Sequence, residues 1–219
     1  MRIAVLVSGG VDSSLALALL ADEGLHELEA HYLKIWLEDE MAFLGHCPSQ
    51  EDLEIIAATC ERLGVPLEVA PLQREYFATV VADTAAELEA GRTPSPDVLC
   101  NRMIKFGAFV DRLGDGVEAV ASGHYARTDR CGGRTRLLRA ADPVKDQTYF
   151  LCRLRQDQVR RALFPVGHLR KEEVRAEARR RGLPAAARPD SQGICFLGRV
   201  PYDEFVRHHL GDRPGPIVE

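Results

Sequence analysis

Ile3-Ala-Val-Leu-Val7 is an unbroken apolar run of strand length, the pattern of a strand buried on both faces. After a polar, glycine-bearing turn comes a helical stretch, Leu15–Glu23, closed by Gly24. The same rhythm then repeats. Glu29–Trp36 predicts a second strand, and Ser49-x-x-Asp52 opens a helix through Ile55, Ile56 and Cys60 to Gly64. Leu67–Ala70 predicts a third strand, Tyr76–Ala90 a helix ending at Gly91, and about Arg102–Leu113 another helix. Glu118–Ser122 reads as a fourth strand that runs into Gly123-His124. Arg127–Arg139, turning at Gly132-Gly133, predicts a β-hairpin insertion, and Gln156–Leu163 and Lys171–Arg181 predict two Arg-rich helices. The alternation predicts an α/β fold, a doubly wound parallel sheet with helices on both faces. The pattern changes after Gly198. Residues 1–198 are therefore expected to form one domain, and residues 199–219 the opening of another module.

Length and composition suit this picture, because 219 residues at 46% hydrophobic content fill one sizeable α/β domain. No apolar run is long enough to span a membrane, and no leader is visible, so a bacterial-type cytoplasmic setting is expected, or an organellar matrix in a eukaryote. Six cysteines without any Cys-x-x-Cys spacing argue against a zinc knuckle or a simple redox motif. Charge is unevenly spread. Residues 1–99 carry 5 Lys/Arg against 18 Asp/Glu, whereas residues 153–188 carry 11 against 4. That local basic excess is compatible with a polyanionic partner and equally with a solvated helix face.

Between the first strand and its helix lies Ser8-Gly-Gly-Val-Asp-Ser-Ser14. Two glycines let the backbone approach an anion, and N–H groups at a helix N-terminus form a concave donor site. The loop lacks the order of a Walker A or dinucleotide fingerprint. It resembles the pyrophosphate-binding loop of the PP-loop ATPases, which cut ATP between its α and β phosphates and adenylate an oxygen. Ligands of open parallel sheets sit beyond the carboxyl ends of the strands, which would gather this loop, Leu33 and Gly123-His124 around one crevice. Gly123 as a plain turn residue and His124 as a surface histidine remain the alternatives.

Cys100 lies between the Pro-rich stretch Arg92–Asp97 and a predicted helix N-terminus, a position that lowers a thiol pKa from about 8.5. Asp97 is either a proton-handling carboxylate or a turn cap. Cys195 sits in Asp190-Ser-Gln-Gly-Ile-Cys-Phe196. Two cysteines in separate loops near a nucleotide crevice suit sulfur transfer.

A series of motifs follows the loop in one order: Pro96-Asp-Val-Leu-Cys-Asn101 with Lys105-Phe106, Ala121-Ser-Gly-His-Tyr125, Lys145-Asp-Gln-Thr-Tyr-Phe-Leu151, and Ser191-Gln-Gly-Ile-Cys-Phe196. The series resembles the tRNA-uridine 2-sulfurtransferases. That resemblance implies ATP, with Mg²⁺ on its phosphates, held by Leu6, Val7, Ser8, Gly9, Gly10, Val11, Asp12 and Ser13, by the backbone at Leu33 and by Gly123. It implies Cys100 as nucleophile, with Asp97 beside it in the catalytic set, and Cys195 as the carrier of a persulfide delivered by an upstream cysteine desulfurase or sulfur-relay protein. Ser95, Pro96 and Asp97 fall where the family touches the target base, and His124, Lys145, Asp146 and Gln147 at tRNA-contacting positions. The implied reaction adenylates the C2 oxygen of a wobble uridine. Sulfur then displaces AMP, directly or after Cys100 attacks the persulfide and frees hydrosulfide, and a Cys100–Cys195 disulfide remains to be reduced. The target base must leave its stack. Two other readings stay open: another PP-loop adenylating ligase, and a non-catalytic nucleotide- or RNA-binding fragment. Ser95 stands where the family commonly has Asn, and Leu33 where Met is frequent.

Overall fold

The computed structural model describes residues 1–35, 49–190, 206–207 and 211. The first strand, β1 (Arg2–Val7), is central and carries parallel neighbours on both sides. Helix α1 (Val11–Glu23) returns antiparallel to it, ends at Gly24 in the left-handed conformation, and leads to β2 (Glu27–Lys34). Helix α2 (Ser49–Leu63) and β3 (Leu67–Pro71) complete one half of the sheet. A helical run follows, α3 (Gln73–Tyr76), a π-helical turn (Phe77–Val81) and α4 (Ala82–Glu89). A second run comprises α5 (Pro96–Cys100), a π-helical stretch (Asn101–Ala108) and α6 (Phe109–Leu113). The chain then crosses to β4 (Ala119–Ala121) on the other flank of β1. The hairpin β5 (Ala126–Cys131) and β6 (Arg134–Arg139) pairs antiparallel as its own two-stranded sheet. Its turn glycines 132 and 133 have φ of 58° and 76°, the left-handed pair that matches the twist of a two-residue hairpin. Helix α7 (Gln156–Arg161), β7 (Ala162–Leu163) and α8 (Lys171–Arg180) follow.

The main sheet has the order β3-β2-β1-β4-β7, parallel throughout, as the alternation of elements predicts. Alternate residues of β1 feed opposite faces. Ala4 and Leu6 enter a cluster with Tyr76, Val80, Cys100, Ile104 and Phe109. Ile3, Val5 and Val7 face Leu17, Leu20, Ile56 and Cys60 of α1 and α2. Burial on both faces is why β1 reads as a continuous apolar run.

Several boundaries differ from expectation. Helix α1 begins at Val11 rather than near Leu15, because Gly10 is already the extended residue before the first turn (φ −81°, ψ 158°). The helix expected from Arg102 begins at Pro96, whose fixed φ suits a first helical position. Helix α4 ends at Glu89. The helix expected over Gln156–Leu163 stops at Arg161, and Ala162-Leu163 forms a fifth strand beside β4. Two residues are too few to show a period, so this strand left no signal. The second strand ends at Lys34, and Trp36 lies outside the described residues. So do residues 191–196 with Cys195, and nearly all of residues 199–219, the expected opening of another module.

Candidate active site

The Ser8 loop leaves the carboxyl end of β1 between its two neighbours. The Ser8 N–H donates to Ser13 Oγ at 3.1 Å, Ser13 Oγ donates to the Gly10 carbonyl at 3.1 Å, and the two serine hydroxyls lie 3.3 Å apart. Gly9 has φ 73°, and no side chain caps α1. The early N–H groups of a helix have no intrahelical acceptor and carry the positive end of its dipole. The loop is thus braced by its own serines, and its first turn is available to an anion.

Asp12 is held from behind. Lys171 Nζ lies 2.7 and 2.8 Å from its two carboxylate oxygens, and the buried Tyr125 hydroxyl donates to Oδ1 at 2.7 Å. Burial and the Asp12 charge push the Tyr125 hydroxyl far up, so it stays a neutral donor. Lys171 Nζ also meets Asp190 at 2.9 Å, and Asp190 accepts from Lys145 Nζ at 2.8 Å and from Arg175. Arg188 Nη1 donates to the Gly9 carbonyl at 3.1 Å and pairs with Asp52 at 2.6 Å. Residues 188 and 190, which lead directly into the Cys195 motif, are therefore fastened to the back of the Ser8 loop. Sequence reasoning missed Tyr125, Lys171, Asp190 and Arg188 as a set. Tyr125 and Asp190 did sit in the quoted motifs, but ion pairs between residues 159 positions apart leave no local pattern.

Partial burial alone would raise the Asp190 carboxyl, but the ammonium groups of Lys145 and Lys171 bonded to it outweigh that and hold it well below the usual carboxylate range. A carboxyl depressed in the folded state contributes stability that is present above its unfolded value of about 3.9 and is lost as pH falls through the folded value. Asp190→Asn should therefore melt below the wild type at neutral pH, with the difference shrinking as the pH drops beneath about 4. Melting curves across pH check this, and a pH-independent difference would remove the charge explanation.

Gly123 does not serve as a turn residue. Its φ is not positive, and a Cβ there would lie 2.7 Å from Ser13 N, 2.8 Å from Asp12 C and 2.9 Å from Ser13 Cα. The absent side chain lets the end of β4 touch the first turn of α1. His124 is not a surface histidine either. It is partly buried, its Nδ1 lies 2.8 Å from Ser122 Oγ, and its ring meets Phe164 edge-on. Burial, then the nearby Lys105 charge, lowers its pKa well below the ordinary value, so it is a neutral imidazole. Leu33 is next in β2 after Tyr32, the partner of Val7, and so stands at the same carboxyl edge.

Cys100 does not sit at a helix N-terminus. It is the last residue of α5, one turn inside a helical run that begins at Pro96, and it is 1% exposed in the cluster that contains Leu6. Ser95 is exposed just before the run, its carbonyl accepting from the Leu99 N–H at 3.3 Å, and Pro96 is buried. Asp97 is partly buried in the first turn. Next to Cys100, Asn101 Nδ2 donates to the Phe150 carbonyl at 3.2 Å, which ties this helix to the segment after Gln147. Lys145, Asp146 and Gln147 are engaged within the fold. Lys145 pairs with Asp190, and Gln147 Oε1 accepts from the Tyr125 N–H at 3.0 Å. Asp146 accepts from Arg139 Nε at 2.9 Å, the Ala140 N–H at 3.1 Å and Thr148. Partial burial opposes these bonds, but together they bring the Asp146 carboxyl down to about 2. The basic excess of residues 153–188 is also partly spent internally, since Arg155, Lys171, Arg175, Arg180, Arg181 and Arg188 all sit in ion pairs.

A family model described as "tRNA methyl transferase HUP domain" matches residues 1–199. The chain belongs to that family. Curated relatives within reach include the tRNA-specific 2-thiouridylase MnmA of Porphyromonas gingivalis, 47% identical over 219 residues, all of this chain and 60% of the relative. The protein of that name from Parabacteroides distasonis is 45% identical over all of this chain and 61% of its own length. The chain thus spans about three fifths of these relatives. Among solved structures, the U34-tRNA thiolase NcsA from Methanococcus maripaludis aligns with a TM-score of 0.55 at 16% identity, over 95% of this chain and 70% of that one. An NMN synthetase from Francisella tularensis aligns at 0.50 and 15%, over 98% and 78%. Both show a shared fold. The family therefore supports the PP-loop α/β architecture read from the sequence, and the 2-thiouridylase relatives match the resemblance drawn from its motifs.

Proposed function

We propose that this chain is the catalytic part of an enzyme that uses ATP to replace the C2 oxygen of a tRNA uridine with sulfur. The observation that carries the reading is one piece of geometry. The uncapped first turn of α1 opens at the carboxyl end of β1, and Cys100 packs in the same apolar cluster as Leu6 from that strand. Whole-chain identity to relatives named tRNA-specific 2-thiouridylase supports it.

In this reading Ser8–Ser13 hold the phosphates through backbone and hydroxyl donors, with Leu6, Val7, Leu33 and Gly123 shaping the nucleotide crevice. ATP supplies the activation: the uracil oxygen takes the adenylyl group and pyrophosphate leaves. Both Asp12 oxygens are occupied by Lys171 and Tyr125, so the set fits Mg²⁺ carried on the phosphates better than Mg²⁺ held by that carboxylate. Ser95, Pro96 and Asp97 present the base. His124, Lys145, Asp146 and Gln147 order the neighbouring tRNA-facing segment. The terminal sulfur of a persulfide on Cys195, loaded by a donor protein, bonds to C2 as AMP departs with the old oxygen. The Cys100 thiolate attacks the Cys195 sulfur and breaks the S–S bond to the transferred atom. The resulting disulfide is returned to two thiols by an external thiol reductant.

The test is mass spectrometry of nucleosides from tRNA incubated with the protein, ATP, Mg²⁺ and a persulfide-loaded sulfur-donor protein. The expected result is 2-thiouridine, with AMP and pyrophosphate released in step. Release of neither product would leave a nucleotide- or RNA-binding module. AMP release on a small acceptor without tRNA would point to a different PP-loop ligase.

A further inference from the structure

We infer that Tyr149 is the stacking platform for the unstacked uracil base that Asp97 addresses, a docking site for a nucleobase on the aromatic turn Thr148–Leu151. The inference deepens the proposed function and rests on it.

Tyr149 is out of place energetically. Tyr32, Tyr76 and Tyr125 are buried, whereas Tyr149 is 61% exposed and is the one exposed tyrosine among the described residues. Its ring lies against Phe150, centroids 4.0 Å apart with planes tilted 37°, so one broad aromatic surface meets solvent. A base presents the same kind of flat π-face whatever its identity.

The turn that carries the ring is rigid. Asp146 Oδ1 accepts from the Thr148 N–H and hydroxyl, and the Phe150 N–H donates to the Gln147 carbonyl at 3.1 Å. The Gln147 N–H donates to the Tyr125 carbonyl at 2.9 Å, and Leu151 anchors the far end in the core. A platform already held in place loses little freedom when a ligand lands on it.

Position supplies the occupant. Asn101, next to Cys100, grips the Phe150 carbonyl, so the aromatic turn and the helix bearing Asp97 and Cys100 are joined. The helix Pro96–Cys100 packs against the Thr148–Leu151 turn, and partial burial with the charges of Asp97 and Asp146 pushes the Tyr149 hydroxyl up, so the phenol stays neutral. An amphipathic aromatic beside a carboxylate offers a base both a stacking face and a polar edge.

The experiment compares two anticodon stem-loop RNAs, one intact and one abasic at the target position, for wild type, Tyr149→Ala and Tyr149→Phe. Dissociation constants are read by fluorescence anisotropy. Tyr149→Ala should bind the intact RNA about tenfold to hundredfold more weakly, and Tyr149→Phe should stay close to wild type. The abasic RNA should bind wild type more weakly, with Tyr149→Ala adding no further loss. An unchanged Tyr149→Ala overturns the inference. So does an equal loss on both RNAs, which would make the ring a brace for the turn, or a defect seen only with the sulfur-donor protein. If the wild type binds neither RNA, the tRNA reading itself falls, and the inference with it.

Discussion

Cys100→Ser is expected to abolish 2-thiouridine formation, by about a thousandfold or more, while ATP-dependent release of pyrophosphate survives. The site is 1% exposed, and serine nearly matches cysteine in size, so the fold should persist with a burial penalty of about 1–3 kcal/mol for the hydroxyl. A hydroxyl cannot take the second half of a disulfide, and at neutral pH it is a far weaker nucleophile than a thiolate. Adenylation depends on the Ser8–Ser13 loop and should be spared. Parallel assays of pyrophosphate and of digested tRNA nucleosides separate the two stages. Thiolation within tenfold of wild type would remove Cys100 from the transfer step.

Gly123→Ala is expected to damage stability and nucleotide binding together. The added methyl would lie 2.7–2.9 Å from three backbone atoms of Asp12 and Ser13, closer than real Cβ contacts come, and no flexible side chain is there to yield. Either β4 or the first turn of α1 must move. Overpacking of this kind costs about 1–3 kcal/mol, or a fall in Tm of about 2–12 °C for a chain this long. Because the displaced atoms belong to the turn proposed to hold the phosphates, affinity for ATP should fall about tenfold or more. Thermal melts and calorimetric titration with a non-hydrolysable ATP analogue check both effects. A large loss of stability with unchanged affinity would show that the sheet gives way and α1 stays put.

How much was legible in the chain follows from which signals are local. The apolar run of β1, the short strand-like stretches of β2 and β3 between closing glycines, and the Gly132-Gly133 pair of the hairpin were legible, because each depends on neighbours in sequence. The two-residue β7 is defined only by its pairing with β4 and left no pattern. The start at Pro96 was obscured by a Pro-rich approach that reads as loop, which put Cys100 at a helix start it does not occupy. Gly123 was legible as a required glycine but not as a close approach, since its reason lies 110 residues earlier at Ser13. The loop and the Cys100 motif stood out because glycines, serines and cysteine in that order have few packing uses. The clamp of Asp12, Lys171, Asp190 and Tyr125 could be seen only in three dimensions.

That clamp has a consequence for ionic strength. Asp12 is the one carboxylate within Ser8–Ser14, and a triphosphate arriving there would be repelled by it were its charge not already answered by Lys171 at 2.7 Å. Lys171 is largely shielded from solvent, with a side chain 12% exposed, so added salt does little to weaken this neutralisation. Contacts to RNA phosphates from exposed arginines have no such shelter and fade as counterions compete. If the proposed function holds, the two substrates should therefore answer salt differently, nucleotide binding being insulated inside the fold and RNA binding open to regulation by the medium.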